Sequence, residues 1–269
     1  MIGCFIVAGA ALAWFIVAEL RNPAPLLQIR LLAERNFGIS MAVLTLFAIG
    51  MLGGTYLLPL YMQRGLGYTA LAAGSMFLPV GVIQGVLSVV SGYLTRYVRP
   101  LLLSAAGILI MALSFWLASR FTLHTTHGHI LFILYLRGFG MGLTFAPLNL
   151  FSLKNLTQQD MAAAAGISNS IKQLAGSIGI ALLTVIFSAR TSYHAAHETV
   201  SAAQTYVEGV TDALRVVAVI TLAALLPLLG VFRKKRPGKS GVKGAATPSP
   251  GEAVSGKTDK TTIYRTKPE

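Results

Sequence analysis

The chain has 269 residues, of which 54% are hydrophobic and only 12% charged, and its net charge is +13. A soluble domain carries about 25% charged residues, so the composition, with long apolar runs at regular spacing, excludes an ordinary soluble domain and defines an integral membrane protein of several spans. A single cysteine, Cys4, excludes an internal disulfide and a cysteine metal cage.

A hydrocarbon core of about 30 Å needs about 20 helical residues to cross it. Seven runs meet that need. The first covers 1–20. No basic segment precedes it and no small-residue cleavage site follows, so it reads as a span and not as a signal peptide. An apolar run that begins at residue 1 predicts a truncated chain, the second part of a longer one. Asn22-Pro23-Ala24-Pro25 breaks that helix. The segment up to Asn36, with Arg21, Arg30 and Arg35, is expected to be a short interfacial connector.

Further spans are predicted over 37–62, 71–95, 101–119, 130–153, 161–189 and 213–232. The turn Arg64-Gly65-Leu66-Gly67-Tyr68 separates the second from the third, and Arg96 to Pro100 separates the third from the fourth. The loop 120–129 is polar and holds His124, His127 and His129. These histidines have no cysteine or acid nearby and read as a solvated loop, with no metal site expected. A longer polar connector is predicted over 190–212. Arg233-Lys234-Lys235-Arg236 stops the last span, and 237–269, rich in Gly, Ser, Thr, Lys and Pro, is expected to be a disordered tail.

The basic residues sort by loop. Arg21, Arg30, Arg35, Arg96, Arg99, Lys154 and Arg233 to Arg236 lie on one side. The other side, near the membrane, holds Arg64, Arg120, Arg190 and Arg215. The richer set is expected to be cytoplasmic, with the tail inside. The positive charge is thus a topology signal, and no nucleic-acid partner is expected.

Five motifs in order carry a family resemblance. They are Pro59-Leu60-Tyr61-Met62-Gln63 with Gly67-Tyr68 and Ala73-Gly74, then Phe77-Leu78-Pro79, then Gly92-Tyr93-Leu94-Thr95-Arg96. Arg137-Gly138-Phe139-Gly140-Met141-Gly142 with Pro147 follows, and last Ala162 to Gly166 through Ala175-Gly176-Ser177-Ile178-Gly179. The set resembles the C-terminal half of fourteen-span drug:proton antiporters of the major facilitator superfamily, the EmrB/QacA group. The resemblance implies an all-α membrane fold: a linker transmembrane helix and cytoplasmic connector over 1–36, a six-helix C-terminal bundle over 37–236, and the tail. It also implies proton-coupled efflux of small amphipathic compounds by alternating access in a bacterial inner membrane. An N-terminal half, in the same or a separate chain, would complete the transporter. The Gly92 segment resembles the superfamily's cytoplasmic loop motif, which implies a gating role for Gly92, Arg96 and Arg99; a plain positive-inside anchor is the alternative.

Intramembrane charges mark candidate sites because each is costly unless paired or hydrated. No acidic residue falls in the middle of a predicted span, so proton coupling would need carboxylates from another segment. Arg137 and Lys172 do fall inside spans, roughly 10 Å and 16 Å deep at 1.5 Å per residue. Either they line a central cavity and pair with carboxylates or substrate, or they bond freed carbonyls and snorkel. Asn169, Lys172 and Gln173 share neighbouring helix faces, a cavity lining or a helix–helix contact. Tyr56, Tyr61, Phe77 and Gln84 are candidate ligand contacts. Pro79 and Pro147 are expected to bend their helices. No phosphate-binding loop, hydride-cofactor fingerprint or nucleophile elbow occurs, so no cofactor, catalytic residue or enzyme activity is expected. The alternatives are a non-transporting membrane fragment or partner subunit and, less well matched, a seven-span receptor.

Overall fold

A computed structural model describes Trp14 and residues 29–154, 156–158, 160–197 and 201–234. The predicted first span lies outside these residues except for Trp14, and the predicted tail beyond 236 lies outside them entirely. Among the described residues, a 3-10 turn at Ile29–Ala33 is followed by eight helices: α1 Arg35–Leu60, α2 Ala70–Ser75, α3 Leu78–Leu94, α4 Pro100–Ala118, α5 His127–Leu153, α6 Asp160–His197, α7 Ala202–Ala223 and α8 Leu225–Lys234. Six stretches of the described residues are long and apolar enough to cross a membrane: Arg35–Gly65, Ala70–Leu94, Pro100–Ala118, His127–Leu153, Asp160–Ala196 and Ala203–Leu228.

Local chemistry sets the helix ends. The Thr69 hydroxyl caps α2 by accepting from the Ala72 amide at 3.2 Å, and the Ser201 hydroxyl caps α7 from the Gln204 amide at 3.3 Å. Pro100 opens α4, where its missing N–H costs nothing. Gly67, at φ +73°, supplies the left-handed residue in the reversal between α1 and α2. Past Pro59, α1 ends in one π-helical turn, Tyr61–Gly65. In an apolar medium every hydroxyl needs an acceptor. Ser40, Thr45, Thr55, Thr144 and Thr221 find theirs at the carbonyl four residues back, at 2.6–2.8 Å.

Packing arranges the helices in two layers. α3, α5, α1 and α6 stand side by side in that order, and α4 and α7 back them. The core between the layers holds Phe37, Phe47, Met111, Phe115, Ile130 and Leu134, all fully buried. Glycines bring backbones together. A Cβ added to Gly140 of α5 would lie 2.8 Å from the Met111 nitrogen and 2.9 Å from the Gly107 oxygen of α4. One added to Gly179 of α6 would lie 2.8 Å from the Ile49 Cα of α1. The flanking members of the front row are the least covered. Only 17% of the α2–α3 window and 22% of the α6 window are buried, against 50–61% for the other four.

One expectation is corrected. The connector predicted over 190–212 is mostly helix: α6 continues to His197 and α7 begins at Ala202. At 38 residues, α6 is about 57 Å long, well beyond the hydrocarbon core. The predicted third span is one stretch, Ala70–Leu94, with Pro79 inside it, and its helix is interrupted at Met76-Phe77 just before that proline. Pro147 does lie inside α5.

Candidate functional site

A cleft of about 460 Å³ opens on the front row. Each of the four helices supplies part of its wall: Met51 and Leu52 from α1, Gln84 from α3, Met141, Phe145 and Asn149 from α5, Lys172 and Gln173 from α6. Met141, Phe145 and Asn149 recur every four residues and so share one face of α5. The walls are held by close helix contacts. Ser91 of α3 donates to the Gly142 carbonyl of α5 at 2.9 Å, and a Cβ at Gly142 would stand 3.0 Å from the Gln84 carbonyl. Gly176 on α6 faces the Leu52 side chain of α1.

Lys172 is half-buried, and its Nζ lies 5.8 Å from the centroid of the Phe145 ring, within range of a cation–π attraction. Phe145 is fixed in turn by an edge-to-face contact with Phe47, centroids 5.5 Å apart. Among the described residues no carboxylate lines the cleft. Its other polar side chains are three amides, Gln84, Asn149 and Gln173, which both donate and accept.

The cleft thus joins Lys172, Gln173 and Gln84 of the residues singled out in the sequence. The others lie elsewhere. Asn169 is exposed on α6 but is not part of the wall. Arg137 is 2% exposed and sits behind the front row. Its Nη2 donates to the Met51 carbonyl at 3.2 Å and to Thr55 Oγ1 of α1, and its guanidinium lies over Phe115 of α4. Nε and Nη1 find no partner among the described residues. Arg137 therefore ties α5 to α1 and α4. Tyr61 is fully buried too: its hydroxyl donates to the Thr122 carbonyl at 2.7 Å and its ring stacks on Phe121 at 4.9 Å. It closes the end of the bundle remote from Arg96. Tyr56 is exposed and Phe77 half-buried, both outside the cleft wall.

At the basic end, Arg96 and Arg99 are exposed, and Arg96 lies 5.6 Å from the Tyr93 ring centroid. Among the described residues nothing lies within 4 Å of where a Cβ at Gly92 would be. In the histidine loop, His127 approaches Tyr68 and His129 approaches Phe121, each at 6.3 Å.

Two features escaped the sequence reading. Phe145 and Asn149 belong to the cleft, and their spacing from Met141 was the available signal. A charge cluster also joins α6 to α7 at the end opposite Arg96. Asp212 meets Arg215 at 2.9 Å, His194 at 3.2 Å and Arg190 at 3.7 Å, and Glu208 meets His194 at 3.4 Å. The spacing of Glu208, Asp212 and Arg215 along one helix face pointed to it.

The described helices thus form a polytopic bundle with an open, mixed polar–apolar cleft in one layer. Comparison with known proteins gives the family. The Major Facilitator Superfamily profile matches residues 1–180. The multidrug export protein EmrB of Escherichia coli K12 is 32% identical over 197 residues, which is 73% of this chain and 38% of that protein. The MFS-type transporter YhcA of Bacillus subtilis and the fatty acid resistance protein FarB of Neisseria gonorrhoeae are each 30% identical over 189 residues, 70% of this chain and 36% and 37% of theirs. The chain belongs to the Major Facilitator Superfamily and is a multi-pass membrane protein. It spans less than two-fifths of the length of these three relatives.

Proposed function

We propose that this chain forms the C-terminal half of a proton-coupled exporter of small amphipathic compounds that works by alternating access. The observation that carries the reading is the cleft walled by α1, α3, α5 and α6. It sets four apolar side chains beside four polar ones, a mixture that suits small amphipathic ligands, and it lies on the layer whose flanking helices are least covered. The names of similar proteins, EmrB as a multidrug export protein and FarB as a fatty acid resistance protein, favour export of organic compounds.

In this reading a second six-helix half faces the cleft, in the same chain or another, and the two halves rock about it. That half supplies the intramembrane carboxylate that loads and releases the proton. The basic end, with Arg35, Arg96, Arg99 and Lys154, faces the cytoplasm of a bacterial inner membrane by the positive-inside rule. Arg96 and Arg99 then border the cytoplasmic gate.

The test is dye accumulation in cells that lack their own exporters and express this chain with its N-terminal half. The expected result is lower accumulation of an amphipathic dye, restored to the control level by a protonophore. Accumulation equal to the empty control, with both halves present in the membrane, would overturn the reading.

A further inference from the structure

We propose that the cleft selects amphiphiles with a single anionic head group, and that Lys172 reads that charge. The inference rests on the exporter reading and names the substrate class of its site.

Among the described residues, this chain's wall of the cleft holds one cation and no acid. The acidic side chains among the described residues stand elsewhere. Glu34 precedes α1 and Asp160 is the first residue of α6. Asp160 is twelve residues from Lys172, about 18 Å along the helix. Glu208 and Asp212 lie on α7, engaged with His194, Arg190 and Arg215. The other buried cation, Arg137, is turned toward α1 and α4 and offers nothing to the cleft. Among the described residues, Lys172 thus sets the sign of this chain's wall of the cleft.

An ammonium ion among Met51, Leu52, Met141 and Phe145 is costly until a counter-charge arrives. The amides of Gln84, Asn149 and Gln173 line the same cleft and carry N–H donors that can serve the remaining oxygens of a carboxylate, sulfate or sulfonate. The thioethers and the Phe145 ring take the apolar body. A cationic head placed about 6 Å from Lys172 is disfavoured on the order of 100-fold at the effective dielectric of a protein surface.

Two probes with the same body and opposite permanent charge provide the test: pyrenebutyl sulfate and pyrenebutyl trimethylammonium, in proteoliposomes holding the exporter with both halves. Wild type is expected to transport the sulfate in preference. K172Q should raise its KM by about 10- to 100-fold, the loss of one charge-assisted contact, with membrane insertion unchanged. K172R should stay within a few-fold of wild type, and K172E should bring the ammonium probe into the substrate range. If K172Q fails to insert, Q173E neutralises the cleft from the neighbouring position and should erase the anion preference. Preference for the ammonium probe, unchanged by K172Q, overturns the inference and leaves the exporter reading standing. Equal loss of both probes in K172Q also overturns it, because Lys172 then pairs with a carboxylate of the other half. Transport of neither probe nor of any dye overturns the exporter reading itself.

Discussion

Gly140 is the position where a single added carbon has the most predictable effect. Its missing Cβ lets α5 lie against α4 at backbone distance. The added atom would meet the Met111 nitrogen at 2.8 Å, the Gly107 oxygen at 2.9 Å and the Met111 Cα at 3.0 Å. All three are backbone atoms in a helix, so no side chain can swing aside. The helices must separate by several tenths of an ångström along their shared surface. Such overpacking costs about 1–3 kcal/mol, and the gain in helix propensity from glycine to alanine returns at most about 1 kcal/mol. With the full offset the net loss for Gly140→Ala is up to about 2 kcal/mol, a large share of the roughly 5–15 kcal/mol that holds a domain together. At about 2–4 °C per kcal/mol for a chain of this size, the midpoint falls by up to roughly 8 °C. The assay is thermal unfolding of the detergent-solubilised protein followed by size-exclusion chromatography. Gly85→Ala is the control: nothing lies within 4 Å of its added Cβ, so its midpoint should equal or exceed that of wild type. If Gly140→Ala unfolds no earlier than Gly85→Ala, the α4–α5 packing described above is wrong.

Other positions give separate checks. Tyr61→Phe keeps the stacking on Phe121 but removes the hydroxyl that serves the Thr122 carbonyl; it should cost about 1 kcal/mol, read as a lower unfolding midpoint. Ser91→Ala frees the Gly142 carbonyl from its α3 donor and should cost about 1 kcal/mol in the same assay. Asp212→Asn removes the acceptor charge shared by His194, Arg190 and Arg215. It should cost about 1–2 kcal/mol, discounted for the exposed arginines, and it should reduce the dependence of the midpoint on salt between low and 1 M ionic strength, where the Debye length falls to about 3 Å.

The membrane helices were legible because crossing a bilayer demands length and apolarity together, and few other structures need both. Their ends were less legible. Hydropathy locates the edge of the hydrocarbon, and α6 and α7 continue past that edge with residues such as Arg190, His194 and Glu208. Those residues suit a solvated helix as well as a loop. The break at Met76-Phe77 carries no glycine or proline of its own, so only the neighbouring Pro79 marked the place. Within the site, Lys172 and Gln173 were found because polar side chains inside apolar runs are costly and conspicuous, and Gln84 as an amide able to contact a ligand. The same two grounds selected Arg137 and Tyr61, whose polar atoms instead satisfy carbonyls of neighbouring segments, Met51 and Thr122. Periodicity along one helix cannot tell a cleft from a helix interface, since both bury the same face. Phe145 was passed over because an aromatic residue in an apolar span looks like core until its neighbours are known.

The central claim is that the cleft between α3, α5, α1 and α6 is an aqueous path for substrate. Substituted-cysteine labelling in native membranes tests it most directly. With Cys4, the one native cysteine, replaced by serine, Gln173→Cys should react with a membrane-impermeant thiol reagent, and transported substrate should slow the reaction. Leu113→Cys, in the apolar groove between α4 and α7 on the other side of the bundle, should stay unlabelled. Labelling of Gln173→Cys no faster than Leu113→Cys, with or without substrate, would contradict the account.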